Sequence, residues 1–365
     1  MEEFETCFEG LSDPRAGNVR HDLFEVLMTA LCAVLCGGEG CTDMAEFAAQ
    51  KVSFLRRFMR LRHGPPSHDT FSRVFRALDP EQFRACFQVF MDRFFEVHKD
   101  VVAIDGKTLR RSFDKASGAS ALHMVSAWAT GQRLVLGQVA VGSKSNEITA
   151  VPELLKMLSL KGKIITADAM HCQRDIAMRI VEGGGDYALA LKGNQGTLFD
   201  DVRTFLDDPE TEADRHVHVD GGHGRVEVRE GAVSANIEWL NEHHQWPGLK
   251  AVCKITSIRE INGEATRQDR YFLLSKNLPA AEAVHVVRSH WGIENGLHWS
   301  LDVVMNEDQA RNRKENGPNN LAVIRHMALN LIQRNKTKGS NRAKFKRAAW
   351  NDNFLLELLS PAHMR

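Results

Sequence analysis

The chain has 365 residues, 43% of them hydrophobic, and its 47 basic and 47 acidic side chains cancel. That length suggests two or three domains with enough apolar material to fold unaided, which excludes a disordered chain and a disulfide-stapled miniature. Seven scattered cysteines, an acidic start (Met1-Glu2-Glu3-Phe4) and a longest apolar stretch of only Val26 to Cys36 point to a cytoplasmic protein with no membrane partner.

Residues 1–98 read as helical. Asp22 to Cys36 is apolar at helical spacing and stops at Gly37-Gly38. Met44 to Leu61 is amphipathic, with Arg56, Arg57, Arg60 and Arg62 at its end, where cations favour the helix dipole. Cys32 and Cys36, one turn apart on an apolar helix, read as buried thiols rather than a zinc site with Cys41. Pro65-Pro66-Ser67 breaks the chain, and Asp79-Pro80-Glu81-Gln82 is a capping signature with Pro at the first position. The short helices around that turn fit either a helix-turn-helix placing Arg73 and Arg76 on DNA or the packing of a helical bundle.

At Val101 the period changes. Val101-Val102-Ala103-Ile104 reads as a buried strand, followed by Asp105 and a glycine that lets the backbone turn. Lys163-Ile164-Ile165-Thr166-Ala167 repeats the pattern and ends in Asp168. Between them, strands are expected at 121–129 and 133–141, joined by Thr130-Gly131-Gln132. A helix follows near Thr149 to Leu158; Pro152 in its first turn would leave Asn146 and Glu147 just outside. A helix from Gln173 to Glu182, stopped by Gly183-Gly184-Gly185, leads to a strand from Tyr187 to Leu191.

Residues 197–275 read as a β-rich segment, with strands at 216–219, 225–233, 249–259 and 270–274 and Asn262-Gly263 as a hairpin turn. His216, His218 and His223 read as ordinary strand side chains rather than a metal site. Helices follow near Ala280 to Trp299 and Asn319 to Arg334, then a basic tail from Lys336 to Arg347 and a last amphipathic helix ending near Leu359. From Arg311 to Arg347, eleven Lys or Arg face a single acid, Glu315, whereas Phe205 to Trp246 carries ten acids and three arginines. The neutral total thus conceals a basic C-terminal end, either a solvated tail or an electrostatic footprint for DNA.

Two strand-end aspartates and a glutamate in the helical run His290-Trp291-Gly292-Ile293-Glu294-Asn295 suit a two-cation site for phosphoryl transfer. Asp302, Glu307 and Asp308 are rivals for the third oxygen; Asp302 lies about 12 Å further along a helix, which favours Glu294. Lys107, Arg110, Arg111 and Lys192 fit either phosphate contacts or basic turns. His171 either supports the site or merely opens a helix, and Trp291 and Trp299 either stack on a base or fill the core.

Six motifs occur in order: Ala103-Ile104-Asp105-Gly106-Lys107, Ser145-Asn146-Glu147-Ile148-Thr149, Ala167-Asp168-Ala169-Met170-His171, Lys192-Gly193-Asn194-Gln195, Gly222-His223-Gly224-Arg225 and the Glu294 run. Through them the chain, from about Leu11 to Arg334, resembles the DDE transposases of bacterial insertion sequences, closest to the H-repeat-associated subgroup. The resemblance implies an α/β fold: an RNase H-like mixed sheet with flanking helices (99–196 and 276–335), interrupted by a β-rich insertion (197–275), preceded by an all-helical N-terminal domain (1–98) and followed by a basic tail and helix (336–365). It implies two Mg²⁺ (or Mn²⁺) ions, with Asp105 bridging both, Asp168 binding one and Glu294 the other. The implied partners are double-stranded DNA, as element ends and target, and a second copy of the chain when DNA is bound. The implied activity is cutting at element ends and joining 3′-hydroxyls to target DNA. Lys107, Arg110, Arg111, Lys192 and Arg225 would meet DNA. Related transposases carry a Tyr, an Arg four residues before the Glu and a Lys seven after it. Those positions hold Val287, His290 and Leu301 here, so Arg288, His290 and His298 are the candidate replacements. An inactive DNA-binding relic and an RNase H-like nuclease are the other readings; the β insertion and the basic end favour the transposase.

Overall fold

Six helices come first: α1 (Glu2–Phe8), α2 (Leu23–Leu35), α3 (Cys41–Gln50), α4 (Val52–Leu55), α5 (His68–Ala77) and α6 (Pro80–Phe94). Side chains of Asp22, Ser67 and Asp79 accept from first-turn N–H groups and so start α2, α5 and α6. The single helix expected from Met44 to Leu61 is instead broken at Lys51; the separate turn of α4 aims Phe54 and Leu55 into the core. Arg73 on α5 is exposed, and Arg76 is paired with Glu315 at 2.8 Å. The structure, a computed structural model, describes residues 2–15, 17, 19–96, 100–142, 146–222, 225–261 and 264–360, but not the side chains of Arg225 and Ile261. Ser145, His223, Gly224 and the Asn262-Gly263 turn therefore lie outside the described residues.

The central sheet begins with β1 (Val101–Thr108), β2 (His123–Ala129) and β3 (Leu134–Val141), an antiparallel meander. Then come α7 (Glu147–Lys156), β4 (Ile164–Ala167), α8 (Arg174–Glu182) and β5 (Asp186–Leu191), with β4 parallel to β1 and β5 parallel to β4. The resulting order β3-β2-β1-β4-β5 is the RNase H-like arrangement. Apolar residues such as Val102, Ile104, Val125, Val135, Ile165 and Leu189 are buried along these strands, as sheets covered by helices require.

The insertion contains α9 (Thr197–Asp207), β6 (Asp214–Gly222), β7 (Arg225–Ser234), α10 (Glu238–His244), β8 (Ala251–Ile261) and β9 (Glu264–Leu274). Two helices thus join the expected strands, because Leu198, Val202 and Leu206 recur every four residues and bury one helical face. β9 pairs with β5 from Ala188↔Leu274 to Leu191↔Tyr271, so the insertion extends the core into one nine-stranded sheet.

The chain returns through α11 (Ala280–His290) and ends in α12 (Gly317–Arg334), α13 (Asn341–Trp350) and α14 (Asp352–Leu358). α12 is buried along most of its length and packs on α2, α5, α6 and β3. The basic stretch 336–347 is largely helix: Phe345 and Ala348 sit in the core, and buried Lys344 donates to the carbonyls of Ile332 and Asn335. Lys336, Lys338, Arg342 and Lys346 remain exposed. Among the described residues no helix is long and apolar enough to cross a membrane.

Candidate active site

β1 runs through Asp105 and Gly106 while paired to β2, but its parallel ladder with β4 ends at Ile104↔Ala167. Asp105 and Asp168 are each the next residue, so they stand side by side one step beyond the ladder, where strands lie about 4.8 Å apart. The Asp168 side chain caps a short turn, Oδ1 accepting from the N–H groups of Met170 (3.1 Å) and His171 (3.4 Å).

Glu294 arrives differently from the expected α-helix over 280–299. That helix stops at His290, and residues 293–298 and 300–304 form wide π-helical turns, in which the Trp299 N–H reaches the Glu294 carbonyl and the Met305 N–H that of Ser300. Gly296 rests on the buried Trp128 ring; a Cβ there would stand 3.1 Å from the indole. Ile293, Leu297 and Leu301 face the core from this segment and Glu294 stays exposed.

The Asp105 carboxyl is pushed up to about 6, first by burial and then by the negative charges of Asp168, Glu294 and Glu147, against a lowering hydrogen bond from the Gly106 N–H. Four carboxylates therefore share one electrostatic neighbourhood. Among the described residues no lysine or arginine pairs with Asp105, Asp168 or Glu294, and as the side chains stand no three donors close tightly around one point. The hard oxygen donors of Asp105, Asp168 and Glu294 fit a divalent cation of the Mg²⁺ or Mn²⁺ class.

The rival acids are engaged elsewhere. Lys107 Nζ lies 2.7 Å from Asp302, 3.1 Å from Glu307 and 3.2 Å from Asp308, and Arg110 Nε lies 3.3 Å from Asp308. Glu307 is buried with Arg325 at 3.4 Å; burial alone would raise its carboxyl, and the charges of Arg325 and Lys107 leave it lowered.

The remaining basic candidates divide. Lys107 points inward to that acid cluster, whereas Arg110 is 79% exposed. Arg111 is half-buried and its carbonyl accepts from Arg313. Lys192 is exposed; the loop after it is tied down by Asn194 and Gln195, which donate to the carbonyls of Ala169 and Cys172 and so brace the Asp168 turn. Arg288 pairs with Asp220 at 2.5 Å. His290 Nδ1 lies 3.1 Å from Thr166 Oγ1, and His298 Nδ1 lies 3.7 Å from Asp105; burial pushes both imidazoles down to about 4 and keeps them neutral near pH 7.

Sequence reasoning left Glu147 and His123 without a role. α7 begins at Glu147, not after it: Asn146 Oδ1 caps it by accepting from Thr149 N–H, so Pro152 lies inside the helix. Glu147 Oε1 is 2.7 Å from His123 Nε2, and its Oε2 is 3.2 Å from His171 Nε2. His171 Nδ1 in turn is 3.0 Å from Asp168 Oδ1. Burial opposes charge on His171, but the two carboxylates win and lift it to about 9, while the His171 contact holds Asp168 below the usual carboxylate range. The signal was local: an acid directly after an N-cap, in a motif between two core strands.

The central sheet is RNase H-like, with Asp105 and Asp168 side by side at neighbouring strand ends and Glu294 on the later π-helical turn. The family described as "Transposase DDE domain" matches residues 96–331, and "DDE_Tnp_1-associated" matches residues 5–91. The chain belongs to the DDE transposase family. It is 41% identical over 352 residues to "H repeat-associated putative transposase YhhI" of Escherichia coli (strain K12), covering 94% of this chain and 93% of that one. It is 45% identical over 277 residues to "Uncharacterized protein in dhlA 3'region" of Xanthobacter autotrophicus, covering 73% of this chain and 92% of the relative. Among solved structures, a piggyBac transposase synaptic complex with hairpin DNA aligns at 12% identity and a TM-score of 0.43, over 98% of this chain and 77% of that one.

Proposed function

We propose that this chain is the transposase of a bacterial insertion sequence, cutting DNA at element ends and joining the freed 3′-hydroxyls to target DNA. The observation that supports the reading is the convergence of Asp105, Asp168 and Glu294 with no lysine or arginine partner among the described residues, while the rival acids Asp302, Glu307 and Asp308 are all paired. Asp105, Asp168 and Glu294 would hold the divalent Mg²⁺ or Mn²⁺ ions. Bound there, the ions supply the charge that favours in-line displacement at phosphate.

The chain's own contribution is placement. The β1–β4 ladder sets the aspartates side by side, His171 occupies Asp168 Oδ1 and leaves Oδ2 for the site, and Trp128 seats the turn that carries Glu294. Lys107 anchors the far end of that segment through Asp302, Glu307 and Asp308. A cleft of about 650 Å³ at Gly292 and Asn295 is lined by Arg229 and Arg259, which share Glu227, by Arg288, which pairs with Asp220, and by Arg270 over the Trp291 ring; these guanidiniums would meet a DNA strand. Arg110, Arg111, Lys192 and Arg225 would meet flanking DNA phosphates, and His290 and His298 are further candidates for contact with DNA. Double-stranded element ends and target DNA are the partners, bound by a homodimer in the cytoplasm.

The test is cleavage, in Mg²⁺, of DNA carrying the inverted repeats that flank the gene. Glu294→Gln, which keeps shape and loses charge, should lower the rate about a hundredfold or more, whereas Asp302→Asn should keep most of it. A near-unchanged rate in Glu294→Gln sinks the assignment of the third acid. DNA binding without any cutting by the unmodified chain indicates a relic, and cutting without end preference a nuclease.

A further inference from the structure

Among the described residues, Glu147 is the one acid of the central four with an imidazole nitrogen at ion-pair distance from each carboxylate oxygen, though not in hydrogen-bond geometry. It is 17% exposed and stands between two imidazoles, His123 at 2.7 Å and the fully buried His171 at 3.2 Å. His123 is itself fixed from behind, its Nδ1 2.7 Å from Thr108 Oγ1 on β1. The carboxylate also presses on the strand that carries Asp105: a Cβ on Gly106 would stand 2.5 Å from Glu147 Oε2 and 2.5 Å from His123 Nε2, so only glycine leaves room. An acid in the first turn of a helix ordinarily points to solvent and serves the dipole. This one is turned into the sheet.

We infer that Glu147 is a positioning residue for Asp168, acting through His171; the inference rests on reading Asp105, Asp168 and Glu294 as the cation site. His171 spans the two acids, Nε2 toward Glu147 and Nδ1 toward Asp168 Oδ1. An imidazole held at one nitrogen only is free to swing about its χ2 axis; held at both, it is fixed. Glu147 supplies the second hold. With the ring fixed and the backbone N–H groups of Met170 and His171 also on Oδ1, the Asp168 carboxylate has one orientation, with Oδ2 left for the cation. Direct service as a cation ligand does not suit Glu147, because each of its oxygens already faces an imidazole nitrogen.

The requirement is for a carboxylate and not for shape. His123 and His171 both present nitrogen toward Glu147, and a carboxylate accepts at both oxygens, whereas a glutamine amide has one acceptor and sets an NH₂ against the other ring. Partners that orient a ligand from behind typically change cation affinity about 10- to 100-fold when removed.

The experiment is calorimetric titration of Mn²⁺ into the full chain without DNA, alongside melting in EDTA. Glu147→Gln should bind Mn²⁺ about tenfold or more weakly, His171→Gln should lose about as much, and the double variant should lose no more than either single. Mn²⁺ affinity within about twofold of the unmodified chain in Glu147→Gln overturns the inference, and so do losses that add in the double variant, which would make Glu147 independent of His171. If Glu147→Gln does not fold in EDTA, His171→Gln decides alone: unchanged Mn²⁺ affinity there overturns the inference. Asp168→Asn separates the two levels. Its failure to weaken Mn²⁺ binding refutes the cation site itself, whereas a loss in Asp168→Asn with none in Glu147→Gln refutes only the role of Glu147.

Discussion

Replacing Asp105 by asparagine should stabilise the metal-free protein while removing its function, and the size of the effect follows first from burial of the carboxyl and then from the acids around it. The carboxyl rises from an ordinary 3.8 to about 6 in the folded chain. Its folded value lies above its unfolded one, so between about pH 4 and pH 6 the folded state holds the extra proton and stability falls as pH rises through that window. The cost is fully present above about pH 6 and absent below about pH 4. A rise of that size corresponds to about 3 kcal/mol at most, since asparagine also loses some hydration on burial. With an unfolding entropy of about 2.1 cal/mol/K per residue, a chain of 365 residues gains about 4 °C in Tm. Calorimetric melting in EDTA at several pH values between about 4 and 8 is the assay. No gain near pH 7.5, or a gain that persists unchanged near pH 4, would refute the argument that Asp105 is destabilised by burial and its acidic neighbours.

Glu307→Gln should have the opposite profile: it leaves Arg325 and Lys107 underpaired in the core and lowers stability by about 3 kcal/mol, seen in melting, with Mn²⁺ affinity of the folded protein unchanged. Gly106→Ala should cost about 1–3 kcal/mol and also weaken Mn²⁺ binding in titration, because the added methyl collides with Glu147 and His123. Changing exposed Lys336, Lys338, Arg342 and Lys346 to glutamine should flatten the dependence of log K on log salt in DNA binding by about 0.9 for each phosphate no longer neutralised, while Lys344→Gln, whose amine is buried on two carbonyls, should act on melting instead.

Much of the frame was legible locally. β-branched runs ending in Asp105 and Asp168 marked the two central strands, because a strand covered on both faces reads as continuous apolar sequence. The capping signature at Asp79 marked the start of α6, since that side chain satisfies N–H groups of its own first turn. The acids Asp105, Asp168 and Glu294 stood out by residue type and motif as candidates; the α-helical rise used against Asp302 does not hold over these π-helical turns, and the fold instead pairs Asp302 with Lys107.

What only the tertiary structure decided depends on pairing between distant segments. Whether 197–275 formed its own sheet or extended the core rested on the β9–β5 ladder, which joins residues some eighty positions apart and leaves no periodic trace in either strand. The π-helical turns that carry Glu294 bring Gly296 onto Trp128, a contact across 168 positions that a 3.6-residue period does not encode. Lys107 read as either a phosphate contact or a basic turn, and the fold turns it onto three acids that follow Glu294, because a half-buried ammonium is stable only when paired. Glu147 and His123 carried no role in the sequence, and His171 read either as support for the site or as a helix-start residue. They become one unit because strand register, helix docking and burial bring them within 3.2 Å, and register and burial are properties of the folded chain rather than of any stretch of it.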